Sequence, residues 1–227
     1  NEAKLAAVAE ATGADVVRIV ADAGDADAMA ELAESTRLVI STVGPYALYG
    51  SELVAAVAAA GTDSVDLTGE PQWMQRMIDT HSATAETSGA RIVHTCGFDS
   101  IPSDLGVWFT QGQASARFDE PCTAIAMRVR AIKGGASGGT IASMINVVDE
   151  TKADPELRTT LANPYALAPE GMRSGPRQPS VMRPTKDPVS GEWVAPFVMA
   201  GINTKVVHRS HAVLDRPWGA GFTYDEA

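Results

Sequence analysis

The sequence predicts an α/β protein built on a parallel sheet, and three observations carry that prediction. Short apolar runs rich in branched residues alternate with longer segments of helical periodicity through the first half of the chain. Those runs are near-continuously apolar, as in strands covered on both faces, whereas a half-exposed antiparallel strand alternates. Each run passes into a loop and then a helical pattern, and strand–helix–strand at this spacing imposes right-handed crossovers and parallel pairing.

The elements follow in order. Residues 1–12 read as a helix that Asn1 caps and Gly13 closes, with Leu5, Val8 and Ala9 on one face. Residues 15–21 (DVVRIVA) read as a strand with Asp22 at its carboxyl end, and residues 26–34 as a helix capped by Asp25, with Met29 and Leu32 to bury. The apolar run 38–40 enters the loop 41–50, and Ser51 opens a helix through Ala60. A strand over 64–67 leads to Thr68, Gly69 and Glu70, and Pro71 opens a helix to about Ser88 in which Trp73, Met77 and Ile78 are core. A fourth strand, 91–95, precedes the loop 96–104. From Asp119 the character changes. Residues 122–132 alternate as an exposed-face strand does, with Arg128, Arg130 and Lys133 on its solvated side. A glycine-rich bend over 134–140 then leads into a helix to about Thr151. Residues 163–196 are dense in Pro, Gly and Arg and read as a long surface connection, and 194–214 as a buried helix.

Composition narrows the function classes. The 227 residues suffice for one large domain or two small ones with a proper core, and the two cysteines, Cys96 and Cys122, form no disulfide pattern. A net charge of -10 without a clustered basic surface argues against a nucleic-acid partner. No apolar segment is long enough for a transmembrane span or follows a basic signal-peptide start, so a reduced, cytoplasmic setting is expected.

In a parallel sheet the loops at the carboxyl ends of the strands line one edge, where ligands bind. Asp22, residues 43–46, residues 68–70 and residues 96–100 all fall there, and together they predict a ligand crevice. In the stretch LVISTVGPYALYGS, Gly44 permits close backbone approach, Pro45 stiffens the loop, and Tyr46 and Tyr49 bring hydroxyls; an ordinary strand-to-helix connection is the alternative. His94, in a strand, reads as a satisfied core histidine, and Cys96 as an inert small residue. His208 and His211 lack a third ligand, so no metal is expected. The glycine-rich bend lacks the lysine of a nucleotide P-loop and reads as structural.

Several of these segments carry a family resemblance. NEAKL, STVGPYALYG, DLTGE, HTCGFDSIPSDLG, SGGTIAS and HRSHAVL together resemble the saccharopine dehydrogenase-like oxidoreductases and, among them, the trans-acting enoyl reductases of actinobacteria. The resemblance implies an incomplete Rossmann-type doubly wound parallel sheet over residues 1–118, binding NADP or NAD. A partial α+β domain over 119–227 would shape the substrate site and support a homodimer. Such proteins carry a glycine-rich phosphate turn and two strands ahead of the position of Asn1, which implies that this chain is an internal fragment with weakened cofactor affinity. Carried over by position, Asp22 contacts the adenine edge or caps a helix. Thr42, Val43, Gly44 and Pro45 run past the nicotinamide ribose, and Gly97, Phe98, Asp99 and Ser100 form the opposite wall. Glu70 faces the crevice or caps the next helix. Tyr46 and Asp99 are the candidate proton donors for reduction of an enoyl thioester. Two alternatives stay open: a saccharopine-type reaction with carboxylates held by Arg173, Arg177 and Arg183, and a non-catalytic lipid- or partner-binding relative.

Overall fold

A computed structural model describes residues 1–13, 15–135 and 138–227. Three parallel strands, β1 (Leu38–Ser41), β2 (Asp63–Asp66) and β3 (Ile92–Val93), form a sheet in the order β1-β2-β3, each connected to the next by helix. The helices ahead of and between them are α1 (Glu2–Thr12), α2 (Ala26–Glu34), α3 (Tyr46–Tyr49), α4 (Ser51–Ala60) and α5 (Pro71–Ser88). The long α6 (Ile101–Phe118) leads out of the sheet. The α/β class read from the sequence therefore stands, and the arrangement is compatible with an incomplete Rossmann-like fold.

The helix ends are set by local chemistry. Asn1 accepts from the Lys4 amide and Gly13 takes the left-handed conformation at φ 61°, while the Asp25 carboxylate accepts from the Ala28 amide at 3.1 Å. Pro71 occupies the first turn of α5, where its missing N–H costs nothing, and left-handed Gly61 and Gly89 close α4 and α5. Behind the sheet, α2 and α4 pack Met29, Ala33, Leu53 and Val57 together. Trp73, Met74 and Met77 of α5 join Tyr46, Val54, Leu167 and Ile202 in the central core.

The strand expected over 15–21 is absent. Those residues run without ladder hydrogen bonds, and Val16, Val17, Ile19 and Val20 are all exposed. A strand exists only through a neighbour, and among the described residues β1 pairs with β2 alone, so nothing gives this apolar run a partner. Helix α1 buries no residue, so its apolar face is unpartnered as well. The 64–67 strand shifts by one residue to β2, the 91–95 strand shortens to β3, and α6 begins at Ile101, inside the segment expected to be loop up to residue 104.

The second half is organised by two small sheets. Strand β4 (Ala124–Met127) pairs in parallel with the C-terminal β7 (Thr223–Glu226), and β5 (Thr185–Lys186) with β6 (Trp193–Val194) forms a minimal hairpin inside the irregular segment. Helix α7 (Gly138–Ala153) starts two residues before the expected 140, and α8 (Leu157–Ala162) follows it. Residues 136 and 137 of the glycine-rich bend lie outside the described residues. Helix α9 (Ala200–Val213) begins six residues later than expected: Val194 is paired in β6, and Pro196 disfavours helix at Ala195. Arg128 is not on a solvated strand face; it is largely buried and paired with Asp187 at 2.8 Å and Asp225 at 2.9 Å. Among the described residues no helix is long and apolar enough to cross a membrane.

His208 and His211 of α9 pack against a second core of Val107, Val207, Trp218, Phe222 and Tyr224. His211 stacks on Trp218 with centroids 4.9 Å apart, and His208 is 1% exposed against Tyr165 and Phe222. Burial, helped by the neighbouring His211, pushes the His208 pKa down to about 4. A folded-state pKa below the unfolded value means that the unfolded chain binds a proton the folded chain refuses. Stability is therefore complete above about pH 6.5 and falls toward pH 4, by up to about 3 kcal/mol from this group. Urea unfolding across that range should show the slope, and His208→Leu should flatten it; an unchanged slope in the variant would assign it elsewhere.

Candidate functional site at the carboxyl edge of the sheet

Three loops leave the carboxyl ends of β1, β2 and β3 and are tied to one another by buried carboxylates. Glu70, 1% exposed, accepts from the amides of Tyr46 at 2.8 Å and Ala47 at 3.0 Å, and from the Ser143 hydroxyl of α7 at 2.8 Å. It therefore caps α3, a helix missing from the sequence reading, instead of the helix that follows it. Asp66, at the end of β2, accepts from the Thr68 and Thr95 amides, both at 3.1 Å, and meets His94 Nδ1 at 2.6 Å. Its backbone carbonyl accepts from the Cys96 amide at 2.6 Å. Glu70 thus joins the first loop to the second, and Asp66 joins the second to the third.

Aromatic packing reinforces these links. Trp73 lies between Tyr46, at 5.5 Å between centroids, and His94, at 5.2 Å edge-on, while its indole N–H donates to Ser51 Oγ. The fit leaves no room at Gly50, where an added Cβ would stand 2.7 Å from the Trp73 ring. At Gly97 an added Cβ would come within 2.9 Å of Leu67 Cβ, so glycine lets the third loop lie against the second. Thr95 adopts a left-handed φ of 56° to turn the chain out of β3.

Each predicted site residue can now be placed. Thr42 and Val43 are exposed, Gly44 and Pro45 are half-buried with a cis peptide between them, and all four follow β1 directly. Tyr46 is buried, with its phenol donating to the Ser41 carbonyl at 3.0 Å and accepting from the Leu67 amide at 3.4 Å; burial pushes its pKa up. Across the edge, Phe98 and Asp99 are exposed and Ser100 is buried. The structure brings residues 42–46, 68–70 and 96–100 to one edge. It does not tie Asp22 to them: that carboxylate, exposed, accepts from the Gly24 amide at 2.9 Å, and Asp25 is the cap of α2.

The third loop is fixed from behind by a residue that the sequence did not single out. Asn203 of α9, with no exposure, accepts from the Ser100 hydroxyl at 2.8 Å, and its amide nitrogen lies 2.9 Å from the Asp99 carbonyl and 3.0 Å from Glu226. Tyr224 donates to the other Glu226 oxygen. Asp66 had one sequence signal, an acid at the end of an apolar run; Asn203, inside a mixed helix, had none.

Chemically, the edge presents exposed loop backbone at residues 42–45, an exposed aromatic at Phe98 and a carboxylate at Asp99. The amides that open α3 are taken by Glu70, which leaves them no capacity for a phosphate. At this edge the groups open to a ligand are Thr42, Val43, Phe98 and Asp99, and the α3 amides offer no cradle for a diphosphate.

Comparison with known proteins finds relatives of one name. A Mycobacterium tuberculosis protein, provisionally named a trans-acting enoyl reductase, is 42% identical over 232 residues, covering 98% of this chain and 55% of the relative. The chain is a homologue of the trans-acting enoyl reductases. Trans-acting enoyl reductases of Mycobacterium ulcerans and of Mycobacterium bovis strain BCG are 37% and 36% identical, over 92% and 94% of this chain and 51% and 53% of their own lengths. The chain spans about half the length of the curated trans-acting enoyl reductases it matches. No family model matches it, and no solved structure does.

Proposed function

We propose that the chain carries the reactive end of an NAD(P)-dependent enoyl reductase of the saccharopine dehydrogenase-like family, which reduces an enoyl thioester in lipid metabolism. The observation that supports this most is the joining of the loops after β1, β2 and β3 by Glu70 and Asp66, in a chain whose relatives are named enoyl reductases.

When bound, a reduced nicotinamide supplies the hydride. The chain's own contribution is to hold and orient. Residues 42–45 form one wall and Gly97 and Phe98 the other, with Ser100 anchoring the second wall to α9. Asp99, exposed on that wall, is the second proton donor of the proposal, for the α-carbon. The Tyr46 phenol is the other donor of the proposal, and to act it exchanges its bond to the Ser41 carbonyl for one to the substrate carbonyl. The 119–227 portion shapes the acyl site and forms the contact with a second copy.

The saccharopine-type alternative needs free, convergent arginines, and Arg173 is engaged with Asp79. An NADPH oxidation assay on the natural full-length protein separates the readings. Turnover with an enoyl thioester and none with a keto acid plus an amino acid is the expected result. Turnover only with the amino-acid pair, or with neither, contradicts the proposal.

A further inference from the structure

A cavity lies behind the third loop, whose Cys96 and Ser100 it shares with the crevice just described. It has a volume of about 330 Å³ and is bounded by α5, β3, α6 and α9. Its walls are mostly hydrocarbon, chiefly Met74, Ile78, Leu105 and Val206, and the Asp104 and Arg209 side chains reach it with no ion pair among the described residues. Such a lining, apolar with a few convergent polar groups, is that of a small-molecule site.

The two polar groups are incompletely satisfied. Asp104 Oδ2 accepts from the Ser210 hydroxyl at 2.9 Å, but Oδ1 is buried with no hydrogen-bond partner. Arg209 donates to the Leu167 carbonyl at 2.7 Å and no carboxylate lies within ion-pair distance; its nearest acid, Asp79, is engaged by Arg173. A buried carboxyl oxygen without a partner is costly, and Arg209, which feels the charge of Asp79 but makes no ion pair, has a guanidinium free to meet a ligand that relieves it.

We propose that this cavity binds a medium-length acyl chain, its hydrocarbon against Met74, Ile78, Leu105 and Val206 and its carboxyl end held by Arg209 and Asp104. Burial raises the pKa of Asp104, which favours the protonated form that donates to an acyl oxygen. The guanidinium supplies the charge that selects an anionic or carbonyl head over a cationic one. The carboxyl end thus sits at Arg209 and Asp104 and not at the Tyr46 phenol, so the site goes beyond the proposed function and receives a free acyl acid apart from the reducing centre, with the third loop as the wall the two share.

The test is calorimetric titration of the protein with decanoate and decylamine, without nucleotide, so that failure of hydride transfer leaves its outcome intact. Saturable decanoate binding is expected, with the amine at least tenfold weaker. Leu105→Trp, at a half-exposed position on the rim, and Arg209→Met should each weaken decanoate at least tenfold. Phe109→Ser, on the exposed face of α6, should leave it unchanged. No saturable binding, an amine that binds as well as the acid, cavity variants that bind like the parent, or loss of binding in Phe109→Ser would each overturn the proposal.

Discussion

Replacing Glu70 by alanine is expected to destabilise the protein by about 4 kcal/mol, because it removes a buried carboxylate that satisfies two amides and a hydroxyl at once. The amides of Tyr46 and Ala47 would be left at the start of α3 without acceptors, and the Ser143 hydroxyl of α7 would lose its bond to the same group. Glu70→Gln keeps one acceptor oxygen and turns the other position into a donor that faces donors, so roughly 2 kcal/mol is expected there. Urea unfolding measures both. A loss below about 1 kcal/mol in the alanine variant would show that the first and second loops are held by something else. The same variant should free residues 42–47, and faster amide exchange confined to that loop would be its local signature.

The second large effect is expected at Asn203. Its side chain bridges the Asp99 carbonyl and Ser100 on one side to Glu226 on the other, without any exposure. Asn203→Ala leaves a buried carboxylate oxygen and a loop carbonyl short of a donor, at a cost of about 3 kcal/mol. Ser100→Ala breaks only one of these bonds and should cost about 1 kcal/mol. Equal losses in the two variants would mean that the network acts through Ser100 alone.

What the sequence made legible follows from the range of the forces involved. The caps at Asn1 and Asp25, the proline that opens α5 and the glycines that close α1, α4 and α5 act within a few residues, and those boundaries hold in the structure. The segment 15–21 had the right composition for a strand, but strand formation is a property of two chains of backbone, and its partner is not among the described residues. Strand β7 was unreadable for the opposite reason: TYDE is polar, yet Tyr224 and Glu226 are buried because they satisfy each other and Asn203. The late start of α9 had one sequence signal, Pro196, which the apolar pattern from Val194 onward outweighed.

The candidate site divides the same way. Its location could be read because parallel topology alone sends the loops after β1, β2 and β3 to one edge. The cross-loop role of Glu70 could not, since residues 23 and 24 positions earlier supply the amides it accepts from and α7 supplies the hydroxyl. Nor could Tyr46's engagement with Ser41, which depends on how the first loop folds back over β1.

Where the hydride goes decides which reaction this is. Full-length protein supplied with nicotinamide cofactor deuterated at the transferable position and with an enoyl thioester should yield a saturated acyl product carrying a single deuterium at the β-carbon, read by mass spectrometry. Label found instead at the carbon bearing nitrogen in an amino-acid product, or a product without label, would contradict it.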